Sequence, residues 1–118
     1  MNILVVDDEV TILDLFKPLV EEKGHHVDVA TDGRQAMELL SRHRYDVVFS
    51  DHNMPECTGV ELIKFIKQNY PGTKTVLTTG YETMEDFFAK SIGADLYLKK
   101  PVLPKTIEEV LEKYGERP

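Results

Sequence analysis

At 118 residues with 42% apolar content, the chain has the size of one domain and can bury a core without disulfides or structural metals. Its 14 Lys plus Arg stand against 21 Asp plus Glu, a formal charge of -7 that excludes a domain gripping nucleic acid through its own surface. A single cysteine, Cys57, offers no internal disulfide, and with no leader-like or spanning apolar stretch a reducing cytoplasm, away from membranes, is the expected setting.

In chain order, the first element is the run ILVVDDEV. Ile3, Leu4, Val5 and Val6 predict a buried strand over 2–7 whose tip carries three acids, Asp7, Asp8 and Glu9. Leu13, Phe16 and Val20 recur at helical spacing, and Gly24 closes that helix. Pro18 lies inside it, removing a backbone donor and pressing on the carbonyl of Asp14, so a bend on the solvent side is expected. A second strand over 26–30 leads to a helix opened by Asp32 and Gly33 and striped by Ala36, Leu39 and Leu40.

The third strand, DVVFSD over 46–51, ends on Asp51, and the helix after it stops at NYPG. The fourth, KTVLTT over 74–79, ends on Thr78 and Thr79 before Gly80, and Met84, Phe87 and Phe88 mark a fourth helical stripe. The fifth, over 95–99, runs into Lys99, Lys100 and Pro101. A last helix begins near Pro104 and buries Ile107, Val110, Leu111 and Tyr114. No linker or repeat interrupts this βα alternation, so one domain over 1–118 is expected, an α/β doubly wound parallel sheet of five strands with helices on both faces.

In such a sheet ligands bind beyond the carboxyl ends of the strands, and right-handed crossovers bring those ends to one edge. Asp7, Asp8, Asp51, a threonine hydroxyl and a lysine ammonium therefore converge on one crevice. Three uncompensated carboxylates would take up a proton, whereas a hard divalent cation such as Mg²⁺ lets them stay charged and also reaches a phosphate. The crevice is thus suited to phosphoryl chemistry, in which a carboxylate can be the nucleophile and form an aspartyl-phosphate. Asp7 and Asp8 stand in tandem, as metal ligands would, while Asp51 stands alone and is the better acceptor. The backbone carbonyl of Asn53 is placed to complete the metal shell, Lys100 to neutralise phosphoryl charge, and the Thr79 hydroxyl to donate to it.

Together, VVDDE, FSDHNMPECTG, TTGY and YLKKPV resemble the response-regulator receiver domains of two-component signalling, the CheY-like family, over essentially the whole chain. The resemblance implies a (βα)5, flavodoxin-like fold with strand order 2-1-3-4-5. It implies Asp51 as phospho-acceptor, Asp7 and Asp8 as the Mg²⁺ acids, Thr79 as switch hydroxyl, Lys100 as the conserved-type lysine and Tyr97 as aromatic switch residue. Gly80 after Thr79 and Pro101 after Lys100 fit the family pattern and favour these residues over Thr78 and Lys99. A sensor histidine kinase or histidine phosphotransfer protein is the implied donor. A downstream protein or effector domain is the implied target, reached through the face of the fourth helix, fifth strand and fifth helix, and a phosphorylation-dependent dimer is among the implied arrangements. The domain would be regulatory, catalysing only its own phosphoryl transfer and autodephosphorylation, and it would not bind nucleic acid directly. The Lys100–Pro101 bond is expected to be cis, and Asn53 and Tyr81 to set a non-average phosphoryl lifetime.

Singly, each signal has a plainer reading. Asp7 and Asp8 can act as a helix cap and first-turn acid, Glu9 reads as a first-turn acid, Tyr97 as packing, and His25, His26 and His43 as surface or core-edge residues rather than metal ligands. A flavodoxin-type cofactor binder needs phosphate-binding backbone after the first strand, where DDEVT instead presents acids. A haloacid-dehalogenase-type phosphatase needs D-x-D there, a spacing this chain lacks.

Overall fold

The computed structural model describes residues 1–52, 58–79 and 93–115. Among these, strands and helices alternate as β1 (Asn2–Val6), α1 (Val10–Glu22), β2 (His26–Ala30), α2 (Gly33–Arg42), β3 (Val47–Asp51), α3 (Gly59–Asn69), β4 (Lys74–Thr79), β5 (Leu96–Lys99) and α4 (Pro104–Gly115). The helical stripe expected around Met84, Phe87 and Phe88 lies outside the described residues. All strand pairs are parallel, in the order β2-β1-β3-β4-β5. That is the order implied by the resemblance, and each strand lies within a residue of its expected bounds.

Strand side chains alternate between faces, and the core divides accordingly. Ile3, Val5, Val47, Phe49 and Val76 pack on one face with Leu13, Phe16 and Val20 of α1 and Ile107, Val110 and Leu111 of α4. Leu4, Val6 and Val48 pack on the other with Ala36 and Leu40 of α2 and Leu62 and Ile66 of α3. Both faces of β1 and β3 are therefore dry, which is why these strands read as unbroken apolar runs. Each fully buried Leu, Ile or Phe contributes about 1.5–3 kcal/mol.

Local signals set the boundaries. Asp32 accepts from Gln35 N at 2.8 Å and caps α2, and Thr58 and Glu61 form a reciprocal capping box on α3. Gly24 follows α1 at φ +87, a left-handed conformation that a Cβ would strain. α1 continues through Pro18, which is exposed. At the far edge of the sheet, Asp95 accepts from Lys67 Nζ at 2.7 Å and from Thr75 N at 2.8 Å, tying α3 to β4 and the start of β5.

Candidate functional site

Register brings the acidic residues together. Val6 pairs with Ser50 across β1 and β3, and Asp51 with Thr78 across β3 and β4, so the carboxyl ends of the central strands share one edge. Asp7 extends β1 by one residue, its N–H donating to Ala30 O at 3.1 Å. Asp7 and Asp51 are buried, each 3% exposed, while Asp8 faces solvent. One carboxylate oxygen from each of the three lies within 4.8 Å of the others.

Lys100 reaches this cluster from the end of β5. Its Nζ lies 2.9 Å from Asp51 Oδ1, 3.8 Å from Asp7 Oδ2 and 4.0 Å from Glu9 Oε1. Lys99, its neighbour, is exposed, so the residue followed by proline is the one that enters the crevice. The Lys100–Pro101 bond is cis. Burial opposes the charged ammonium, but the hydrogen bond to Asp51 and the charges of Asp51, Asp7 and Glu9 outweigh it and hold the Lys100 pKa above its ordinary value.

Asp7 shows that one ammonium is not enough. Burial pushes its carboxyl up to about 6; the hydrogen bond from Glu9 N at 2.9 Å and the charge of Lys100 pull down, while the charges of Asp51 and Glu9 add to the rise. With Asp7, Asp8, Asp51 and Glu9 beside the one ammonium of Lys100, the crevice is richer in carboxylates than in cations. A carboxylate-rich, oxygen-only donor set with that deficit is the chemistry Mg²⁺ takes.

Two threonines end β4. Thr78 is buried and its hydroxyl donates to Ser50 O at 3.4 Å, a sheet contact. Thr79 ends the strand opposite Lys99. The side chain of Thr79, and Asn53 and Tyr81, lie outside the described part of the structure. Tyr97 is half-buried on β5 opposite Leu77.

Two residues of this site carry more than the sequence reading assigned them. Glu9 is not a first-turn acid: it is the N-cap of α1, at φ -91 and ψ 108, and its carboxylate faces Lys100. The run DDE, which ends on it, placed a third acid beside the pair. Gly59, the first residue of α3, presses on the acceptor strand so closely that a Cβ would stand 2.3 Å from Asp51 O and 2.8 Å from His52 Cα. Only glycine fits that approach. Its place in ECTG, next to Thr58, was the available clue.

A family model described as the response regulator receiver domain matches residues 3–112. The chain belongs to the receiver-domain family. This receiver is 33% identical over 107 residues to the response regulator SaeR of Staphylococcus aureus, a match covering 90% of the chain and 46% of that protein. The chain thus spans about half the length of the curated relatives it matches. Among solved structures, a CheY-like receiver domain from Methanospirillum hungatei superposes at TM-score 0.89 with 32% identity, covering 97% of this chain and 93% of that one. The response regulator TrrA of Thermotoga maritima, solved in complex with Mg²⁺-BeF, superposes at TM-score 0.86 with 31% identity, covering 96% and 97%. Receivers are regulatory domains of phosphorylation-dependent two-component signalling, and the five-stranded fold of this one is theirs. No helix among the described residues is long and apolar enough to cross a membrane.

Proposed function

We propose that this receiver is a phosphorylation switch in which Asp51 accepts a phosphoryl group from the phosphohistidine of a sensor histidine kinase or histidine phosphotransfer protein. The observation that carries this reading is a buried carboxylate at the end of the central strand, 2.9 Å from a lysine ammonium and beside two further acids. An Asp51 carboxylate oxygen forms the new bond to phosphorus while the phosphorus–nitrogen bond breaks and its electron pair leaves with the imidazole. Lys100, already in the crevice, transfers its hydrogen bond from Asp51 to the incoming phosphoryl oxygens and stabilises their charge. Asp7, Asp8, Asp51 and the Asn53 carbonyl would hold Mg²⁺, which when bound supplies positive charge to offset the carboxylates and the phosphoryl oxygens.

The output follows from a two-state equilibrium biased by the modified aspartate. Thr79 donates to the phosphoryl group, Tyr97 takes up a new position on β5, and the face comprising β5, α4 and the segment between β4 and β5 changes its affinity for a downstream protein or effector domain. The half-buried place of Tyr97 on β5, the strand that leads into Lys100, supports this route. Asn53 and Tyr81 set the rate of autodephosphorylation. The domain works in the cytoplasm, within a chain or complex that supplies the output, and phosphorylation can be read there as dimerisation.

Incubation with Mg²⁺ and acetyl phosphate tests the reading. Intact-mass analysis should find one acid-stable, base-labile phosphate, absent in Asp51→Asn and without Mg²⁺. Steady turnover of a phosphoester, or flavin absorbance in the purified protein, would contradict it.

A further inference from the structure

Between α1 and α4, over the sheet face that carries Val5 and Phe49, lies a cavity of about 430 Å³. Small-molecule sites fall at roughly 300–1,000 Å³ and combine apolar walls with a few polar groups. Here Ile12 and Leu19 of α1, Phe49 of β3 and Val102 and Ile107 at the α4 side form apolar walls, and Phe16 closes the floor in an edge-to-face contact with Phe49 at 5.2 Å. Leu15 lines the same space yet is 65% exposed, so the cavity opens to solvent along α1.

One end is polar, and its charge is unbalanced. Asp7, Glu9 and Lys100 meet there, and the ammonium, 2.9 Å from Asp51, 3.8 Å from Asp7 and 4.0 Å from Glu9, is shared among three carboxylates. An anion entering this end meets the two acids, whereas a cation gains them both.

We propose that this cavity binds a small amphipathic organic cation, its aromatic or branched aliphatic body between α1 and α4 and its ammonium or amidinium group at Asp7 and Glu9. Binding depends on the cavity and its charged end alone. A consequence for signalling rests on the function proposed above: a ligand ammonium at Asp7 competes with Mg²⁺ and so opposes phosphorylation of Asp51.

Methyl-labelled protein titrated in metal-free buffer with naphthylmethylamine, naphthoate and methylnaphthalene tests the proposal by NMR. The amine should shift the methyls of Ile12, Leu19, Val102 and Ile107 saturably, and should bind more tightly than either the anion or the neutral ring. Glu9→Gln should weaken the amine by roughly two- to fivefold, the effect of losing one partly screened charge, and leave methylnaphthalene unchanged. Leu19→Trp, which fills the space, should abolish binding of all three; if that variant does not fold, the Glu9→Gln comparison still decides. Mg²⁺ should raise the apparent Kd of the amine. Shifts absent or scattered over surface methyls, naphthoate binding as tightly as the amine, or an unchanged amine affinity in Glu9→Gln would each overturn the proposal. So would an amphipathic helical peptide shifting these methyls where no small probe does, which would make the cavity a seat for a protein partner. Amine binding without inhibition of acetyl-phosphate labelling removes only the signalling consequence, and absence of labelling without amine refutes only the proposed function.

Discussion

Replacing Asp7 by asparagine changes the charge of the crevice while keeping its shape. The amide oxygen can still accept from Glu9 N, the 2.9 Å bond that Asp7 Oδ1 receives. Burial, joined by the charges of Asp51 and Glu9, raises the Asp7 pKa from 3.8 to about 6. At 1.36 kcal/mol per unit this bounds the penalty for ionised Asp7 at about 3 kcal/mol. Exposed Asp8 leaves the crevice open to water, and screening reduces the expected value to about 1–2 kcal/mol. Below about pH 3 the group is protonated in both folded and unfolded chains and contributes no difference. As the pH rises toward about 6 the unfolded chain releases its proton first, so the folded state holds more protons and loses stability. Metal-free urea unfolding, followed by circular dichroism from about pH 3 to 8, should therefore show Asp7→Asn equal to wild type at the acid end and about 1–2 kcal/mol more stable at neutrality. Mg²⁺ at 100 times its Kd should stabilise wild type by about 2.7 kcal/mol and the variant by less. A variant less stable than wild type at neutral pH without metal, or a gap that does not change with pH, would refute the electrostatic argument.

Gly59→Ala forces a Cβ onto the backbone of Asp51 and His52, so a loss of about 1–3 kcal/mol in the same unfolding assay and slower phosphoryl incorporation are expected. Phe49→Ala removes a ring that is 1% exposed and packed edge-to-face on Phe16, and should cost about 3–5 kcal/mol. Burial of Asp95 works against its charge, but the bonds from Lys67 and Thr75 win and hold its pKa below the ordinary value. Its stabilisation is present above about pH 4 and lost as the pH falls further, so Asp95→Asn should cost about 0.5–1 kcal/mol at neutrality, with the gap closing in acid.

The sheet was legible because its central strands are dry on both faces and so write themselves as apolar runs: ILVV became β1 and VVFS the body of β3. The acidic crevice was legible for the same reason, since a run that stops on Asp7 or Asp51 tells where the strand emerges, and parallel pairing brings such ends together. The convergence of Lys100 on Asp51 followed from the same logic. Register and distance were not legible. Nothing in the sequence order says that Asp95 meets Lys67 and Thr75, or that Tyr45 donates to Asp28 at 2.5 Å, because these contacts depend on how helices and edge strands settle against the sheet. Glu9 was misplaced by one helical position, and at the N-cap its exposed carboxylate comes within 4.0 Å of Lys100. The difference in burial between Asp7 and Asp8 is likewise a matter of where β1 ends, which a tandem pair does not announce.

The central claim is that Asp51 is the phosphoryl acceptor and that Asp7 and Asp8 support it without being modified. Borohydride reduction of the acetyl-phosphate-treated, Mg²⁺-loaded protein converts an aspartyl-phosphate to homoserine, and peptide mass spectrometry locates the change. Homoserine is expected at position 51 alone; homoserine at position 7 or 8, or at no position after full labelling, would contradict Asp51 as the acceptor.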